Sequence, residues 1–534
     1  MLLLAACSPG AQASGEGDDD TAATAATGPT TGELVDPQFP AIGPIAGPGG
    51  RDSFRFGAAS AATQIEDQNP AVDWYVWTAP APDGLGHGSF VGEAARGYSL
   101  AAQDIALLQE LHLDSYRFSI EWARIEPQRD VIDEAALAHY DAFIDALIAA
   151  GIRPMITLHH FSNPVWIEDP REPDCPDGPT DQNLCGWDHI EGGFDVVDEF
   201  GEHAALLATR FGDRVDEWVT VNEPINYLLK AYGTGQYPPG QAGLFGSPET
   251  VLIPAARNYV RGHVAAYDAV HAADNVDADG DGQPAAVGFT LSVAEWIPAR
   301  GNQLSAEPAD RAARDRLVHV YHLLFVEALR LGAFDPDFDG TLDEPQPTWK
   351  GKLDWLGVQY YFRAGVTADP GLLPLIEATP CFGDVDAGAC IPPLDPTYTV
   401  PAMHYEHNPA GLYTVLVDLA GRWPDLPLTV TESGIATKVG ARRAEVVVRA
   451  LEQILRAREE GADVRGYYHW SIIDNYEWDL GFTPRFGLYT VDYDTYARTP
   501  TDGATVLAGI AADRRIPADI AARHGGDGPL TPEP

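Results

Sequence analysis

Val219-Thr220-Val221-Asn222-Glu223-Pro224 is a short β-branched run that stops abruptly at Asn, Glu and Pro. Val and Thr favour a strand and Pro224 cannot donate to a ladder, so Glu223 is placed at the strand's carboxyl end. Much later, Leu428-Thr429-Val430-Thr431-Glu432-Ser433-Gly434 finishes in the same way. In a barrel of parallel strands that end carries the chemistry. Either motif alone is more often a cap or a surface charge. Two carboxyls presented from two strand ends, however, are what cleavage of a glycosidic bond requires, one to protonate the leaving oxygen and one to attack the anomeric carbon.

Working outward, strand-like segments begin near Phe54, Ser115, Pro154, Glu217, Ala286, Trp355, Leu428 and Gly466. Helical periodicity fills the intervals around 100–111, 134–150, 196–211, 253–273, 311–331, 409–423 and 442–460, and a last segment lies near 501–512. Eight strand-helix alternations imply an α/β fold with an all-parallel closed sheet, a (β/α)8 TIM barrel enlarged beyond the usual ~250 residues by long βα loops. The barrel is expected over 51–515. Residues 8–50 are mostly Gly, Ala, Thr, Asp and Pro, too poor in apolar area to fold, and read as a disordered tether. The tail, 516–534, is expected to fray.

The chain has 534 residues, is 45% hydrophobic and carries a formal net charge of -45. That charge argues against nucleic acid or an anionic membrane surface as a partner. Its only lysines are Lys230, Lys350, Lys352 and Lys438. Leu4-Ala5-Ala6-Cys7 resembles the lipobox at which bacterial lipoproteins are cut and lipid-modified, so residues 1–7 read as a truncated lipoprotein signal and Cys7 as the lipidation site. The expectation is an exported, cell-envelope protein that meets the membrane only through that anchor. Cys175 with Cys185, and Cys381 with Cys390, lie in Pro/Gly/Asp-rich loops and suit two local disulfides, which leaves Cys7 as the odd cysteine. With no His at ligand spacing beside them, zinc is not indicated.

Four further runs bear on the site. Phe54 to Glu66 leads from an apolar strand to Gln64, whose amide can both donate to and accept from hydroxyls. Tyr116-Arg117-Phe118-Ser119-Ile120-Glu121-Trp122 buries a guanidinium that needs an anion, and Glu432 is a candidate. Thr157-Leu158-His159-His160-Phe161 ends the third strand with two histidines, of which only one can face the barrel mouth. Gly466 to Trp478 combines Trp470, Glu477 and Trp478, a flat apolar face beside groups able to hold hydroxyls.

Together with Thr220 to Pro224 and Thr431 to Gly434, these runs resemble glycoside hydrolase family 1, the β-glucosidase and β-galactosidase family, from about 53 to 515. The resemblance implies Glu223 as general acid/base, Glu432 as nucleophile and Asn222 as partner of the sugar 2-hydroxyl. It implies Gln64 and His160 as ligands of the glycone, Arg117 and Tyr361 as the pair that positions the nucleophile, and Trp470, Glu477, Trp478 and Phe486 as the sugar platform and wall. No cofactor is required by it. Members acting on 6-phosphorylated sugars usually lack a Glu at the place of Glu477, so plain β-glucosides, galactosides or fucosides, as oligosaccharides or aryl and alkyl β-glycosides, are the expected substrates. Ser433 and Gln359 stand where the family often has Asn, which touches fine tuning only.

The reaction expected is a retaining double displacement, with carboxyls ~5 to 5.5 Å apart. Arg117 should keep Glu432 ionised, and that charge should raise the pKa of Glu223. The competing readings are a catalytically silent sugar-binding lipoprotein and a transglycosidase on the same scaffold. Finally, Asp335, Asp337, Asp339 and Asp343 in one loop, and Asp277, Asp279 and Asp281 in another, resemble structural Ca²⁺ loops that lack the bidentate Glu of an EF-hand.

Overall fold

All eight expected strands form and close into a ring: β1 (Arg55–Ala59), β2 (Ser115–Ser119), β3 (Arg153–His159), β4 (Glu217–Asn222), β5 (Ala286–Arg300), β6 (Trp355–Thr367), β7 (Leu428–Ser433) and β8 (Val464–Trp470). Each pairs in parallel with its sequence neighbours, and β8 pairs with β1, so the sheet has no edge. Coordinates come from a computed structural model that describes residues 38–191, 194–280, 282–381 and 386–533. β2, β4, β7 and β8 are buried along their whole length, as expected of strands covered on both faces.

The covering helices are α1 (Ala101–Glu110), α2 (Glu134–Ala149), α3 (Val196–Phe211), α4 (Leu252–Ala273), α5 (Pro308–Val318), α6 (Pro409–Arg422), α7 (Gly440–Glu459) and α8 (Asp502–Asp513). Local chemistry sets their starts: the side chains of Asp133, Asp195 and Thr501 cap α2, α3 and α8, and Pro stands at the first turn of α5 and α6. β5 and β6 outrun the other strands and stay paired as far as Pro298 and Val366. That extension carries Tyr361 and Phe362 beyond the ring.

Two expectations about the ends of the chain are corrected. Residues 38–50, assigned to the tether, pack against the amino ends of the strands. Phe39 is fully buried, 4.7 Å from the Phe54 ring and 5.0 Å from that of Phe56. Arg465 at the start of β8 donates to the carbonyls of Pro44 (3.1 Å) and Ala46 (2.8 Å), and Arg514 to that of Phe39 (3.0 Å). A segment poor in side chains is held here by its own carbonyls, which composition does not reveal. Residues 1–37, with Cys7, lie outside the described residues. The tail does not fray: Ala518–His524 is helical, Leu530 is buried, and Arg449 donates to the carbonyls of Gly528 and Pro529.

Both disulfides form as expected, with Cα separations of 5.6 Å for Cys175–Cys185 and 4.8 Å for Cys381–Cys390, inside the usual range. The acidic loops differ from expectation. Asp335, Asp337 and Asp339 converge without Asp343, and Asp277 and Asp279 converge with Asp216, a residue the loop pattern did not include; Asp281 lies outside the described residues. In both groups the carboxylates already have donors: Asp335 takes the His319 imidazole (2.8 Å) and the Gly340 amide (2.8 Å), and Asp216 the amides of Ala278 (3.0 Å) and Asp279 (2.6 Å). Three oxygens are also fewer than the six to eight that Ca²⁺ takes. Among the described residues, no helix is long and apolar enough to cross a membrane.

Candidate active site

Glu223 follows the last residue of β4 in a left-handed conformation, φ 39° and ψ 63°, and Pro224 then opens a short helix, Pro224–Leu228. The Glu223 amide donates to the Thr290 carbonyl on β5 (3.0 Å), which fixes the turn. Its carboxyl is buried, and Oε2 accepts from Asn226 Nδ2 at 2.8 Å. Burial, and then the charge of Glu432, push its pKa up to about 8.

Glu432 is the last residue but one of β7 and stands two before Gly434, where an added Cβ would meet the Trp470 carbonyl oxygen at 2.1 Å, so only glycine fits there. Oε1 of Glu432 accepts from the Arg117 guanidinium and from Gln359 Nε2 (2.7 Å), and Oε2 from the Tyr361 hydroxyl (2.7 Å). Burial pushes this carboxyl up, and Arg117 and Tyr361 oppose that rise by stabilising the anion.

Arg117 also binds Asn222 Oδ1 (2.6 Å) and Thr157 Oγ1 (3.1 Å). Asn222 Oδ1 takes two further donors, Gln359 Nε2 (2.8 Å) and Thr290 Oγ1 (2.9 Å). With its oxygen saturated, Asn222 must present its NH₂ group, which lies 3.2 Å from His160 Nε2. One guanidinium thus locks the orientation of both Glu432 and Asn222.

The residues expected to meet the glycone gather around this core. Burial and then Arg117 push the pKa of His160 well down, so its ring is neutral, and it lies nearly parallel to Trp470 (5.9 Å, 16°) and Trp478 (6.1 Å, 20°). Glu477 has its pKa raised to about 8, by burial first and by Glu432 next. Phe486 packs edge-on to Tyr361 at 5.9 Å. Gln64 donates to the Tyr476 carbonyl (2.8 Å) and to Asn475 Oδ1 (3.3 Å). Four buried polar atoms here lack a partner: Gln64 Oε1, His160 Nδ1, Gln359 Oε1 and Glu477 Oε2. Buried polar groups are costly unless paired, so this set suits a ligand rich in hydroxyls.

The structure therefore brings together all eleven residues expected to bind sugar or carry the chemistry. It adds Gln359, Thr290 and Asn226. Gln359 was legible only as a departure from a family habit, although it bridges Glu432 and Asn222. The signal for Asn226 was its position three residues after Glu223 at a helix start.

A family model, Glycosyl hydrolase family 1, matches residues 50–515, from β1 through α8. The chain belongs to glycosyl hydrolase family 1. It is 30% identical over 523 residues to the β-galactosidase of Pyrococcus woesei, covering 88% of this chain and 98% of that one. It is 30% identical over 494 residues to the furostanol glycoside 26-O-β-glucosidase of Hellenia speciosa, covering 85% and 82%. The β-glycosidase structure from Pyrococcus horikoshii superposes with a TM-score of 0.73 at 29% identity, over 90% of this chain and 99% of that one. As a family 1 member the protein is a β-glucosidase-like O-glycosyl hydrolase, and its chemistry needs no cofactor.

Proposed function

We propose that this glycosyl hydrolase is a retaining exo-β-glycosidase in which Glu432 is the nucleophile and Glu223 the acid/base. The observation that carries the proposal is the contrast between the two carboxyls: Glu432 is gripped by Arg117, Gln359 and Tyr361, whereas Glu223 is buried beside it with a pKa of about 8. Near neutral pH the second therefore holds the proton. In the first step Glu432 attacks the anomeric carbon, the glycosidic bond breaks, and the leaving oxygen takes the Glu223 proton. Esterification removes the negative charge of Glu432, so Glu223 becomes more acidic. In the second step water attacks the same carbon, its proton passes to Glu223, and Glu432 leaves as the carboxylate.

Asn222 would meet the sugar 2-hydroxyl, and Gln64, His160 and Glu477 the outer hydroxyls, with Trp470 beneath the ring. Glu477 supports a neutral glucosyl, galactosyl or fucosyl unit: protonated near neutral pH, its carboxyl can hydrogen-bond hydroxyls but offers no positive charge to a phosphate. The cysteine pattern and the Leu4-Ala5-Ala6-Cys7 run support an exported lipoprotein, for which Cys7→Ser should move the enzyme from the membrane fraction to the soluble one.

The test is release of nitrophenol from aryl β-glucosides, with product anomers followed by NMR. Glu432→Ala should lower kcat by at least ~10⁴-fold, and the wild type should release the β-anomer first. Release of the α-anomer, or unchanged turnover by Glu432→Ala, would overturn the assignment.

A further inference from the structure

Resting on the reading of Glu223 as the acid/base, we infer that Asn226 is a positioning residue for it: its amide holds Oε2 so that the transferable proton sits on Oε1. Asn226 lies in the first turn of the helix that starts at Pro224, three residues after Glu223, where a side chain leans back toward the helix start. Its Nδ2 lies 2.8 Å from Glu223 Oε2. A carboxamide nitrogen only donates, so Oε2 is held as an acceptor. Asn226 itself is half-buried and lies outside the set of side chains that would touch the glycone.

The charged and titratable groups that act on Glu223 or feel its charge come from every side: Arg117 on β2, Glu432 on β7, Tyr361 on β6, Glu477 after β8, and Tyr237, Tyr321 and Tyr405. Burial and Glu432 favour the protonated form, and the Asn226 bond is the strongest influence in the other direction. That opposition suits a group that must give up its proton in one step and accept one in the next. Without it, Glu223 would hold its proton more tightly and give it up less readily to the leaving oxygen in the first step.

The test uses the full enzyme and kcat/KM against pH for a phenyl β-glucoside, whose poor leaving group makes proton donation matter. Asn226→Ala should move the alkaline limb up by about 0.5 to 1 unit, and Asn226→Asp further, because a second carboxylate then faces Glu223. An unmoved limb in both variants, or a rate lowered equally at every pH, would overturn the inference and leave Asn226 as a helix-start residue only. Glu223→Gln separates the two levels. If it abolishes the alkaline limb while the Asn226 variants leave the limb in place, only the role of Asn226 fails; if the limb survives in Glu223→Gln, the acid/base reading itself fails.

Discussion

Two of the barrel's buried Arg–Glu pairs stand at opposite ends, and they do different things. At the mouth, Arg117 of β2 meets Glu432 of β7; at the floor, Arg55 of β1 meets Glu217 of β4. All four side chains are almost wholly buried. At the floor, however, Arg55 Nε donates to the Gly43 carbonyl (3.1 Å), so ordered backbone closes over the pair. At the mouth the pair is met instead by side chains, the amides of Asn222 and Gln359 and the hydroxyl of Tyr361. A buried ion pair is therefore no sign of chemistry by itself; what covers it decides.

The sharpest way to break this comparison is to remove each guanidinium. Arg117→Met should cost about 10²–10³-fold in kcat, the order seen when a preorganised charge-stabilising donor is lost. Arg55→Met should cost about 3–5 kcal/mol of stability by leaving Glu217 buried and unpaired, with activity per folded molecule nearly unchanged. Denaturant unfolding alongside kinetics would show it, and matching profiles for the two variants would erase the distinction between the ends.

A smaller effect concerns pH. Glu477 goes from 4.5 to about 8 on burial, so between those values the folded protein keeps a proton that the unfolded chain has released. Stability from this group is full below that window and lost as pH rises through it. Glu477→Gln should flatten the fall, and its melting point should gain on the wild type from pH 5 to pH 8.5.

The smallest effect lies at the rim. Lys230, on the π-helical turn Leu229–Gly233 that follows Glu223's helix, pairs with Asp479 at 3.0 Å, next to Trp478 and Glu477. With both partners about one-third exposed, Lys230→Met should raise KM by about 2–5-fold and leave kcat alone. No change in KM would show that the sugar platform holds itself in place.

The strands and helices were legible because their periodicities are local: a β-branched run closed by Pro, or an apolar face every three to four residues, needs no partner to be recognised. The paired carboxyls were legible for the same reason, each ending its own strand. What could not be read was the lattice between them. Gln359 reaches Asn222 and Glu432, and Thr290 reaches Asn222, across large sequence separations and on different strands. Such contacts depend on barrel stagger, which leaves no trace in spacing. The segment 38–50 escaped for a related reason, since it contributes carbonyl oxygens and every residue has one.

That segment also gives the molecule a polarity. The chain enters beneath the amino ends of the strands, gripped by Arg55, Arg465 and Arg514, whereas its far end reaches Thr437 and Lys438 just beyond Glu432, where Glu533 accepts the Lys438 amide at 3.0 Å. A fusion partner, bead or surface joined ahead of residue 38 pulls on the base of the barrel and leaves the entrance unshadowed. The same handle placed at the other terminus would crowd incoming substrate.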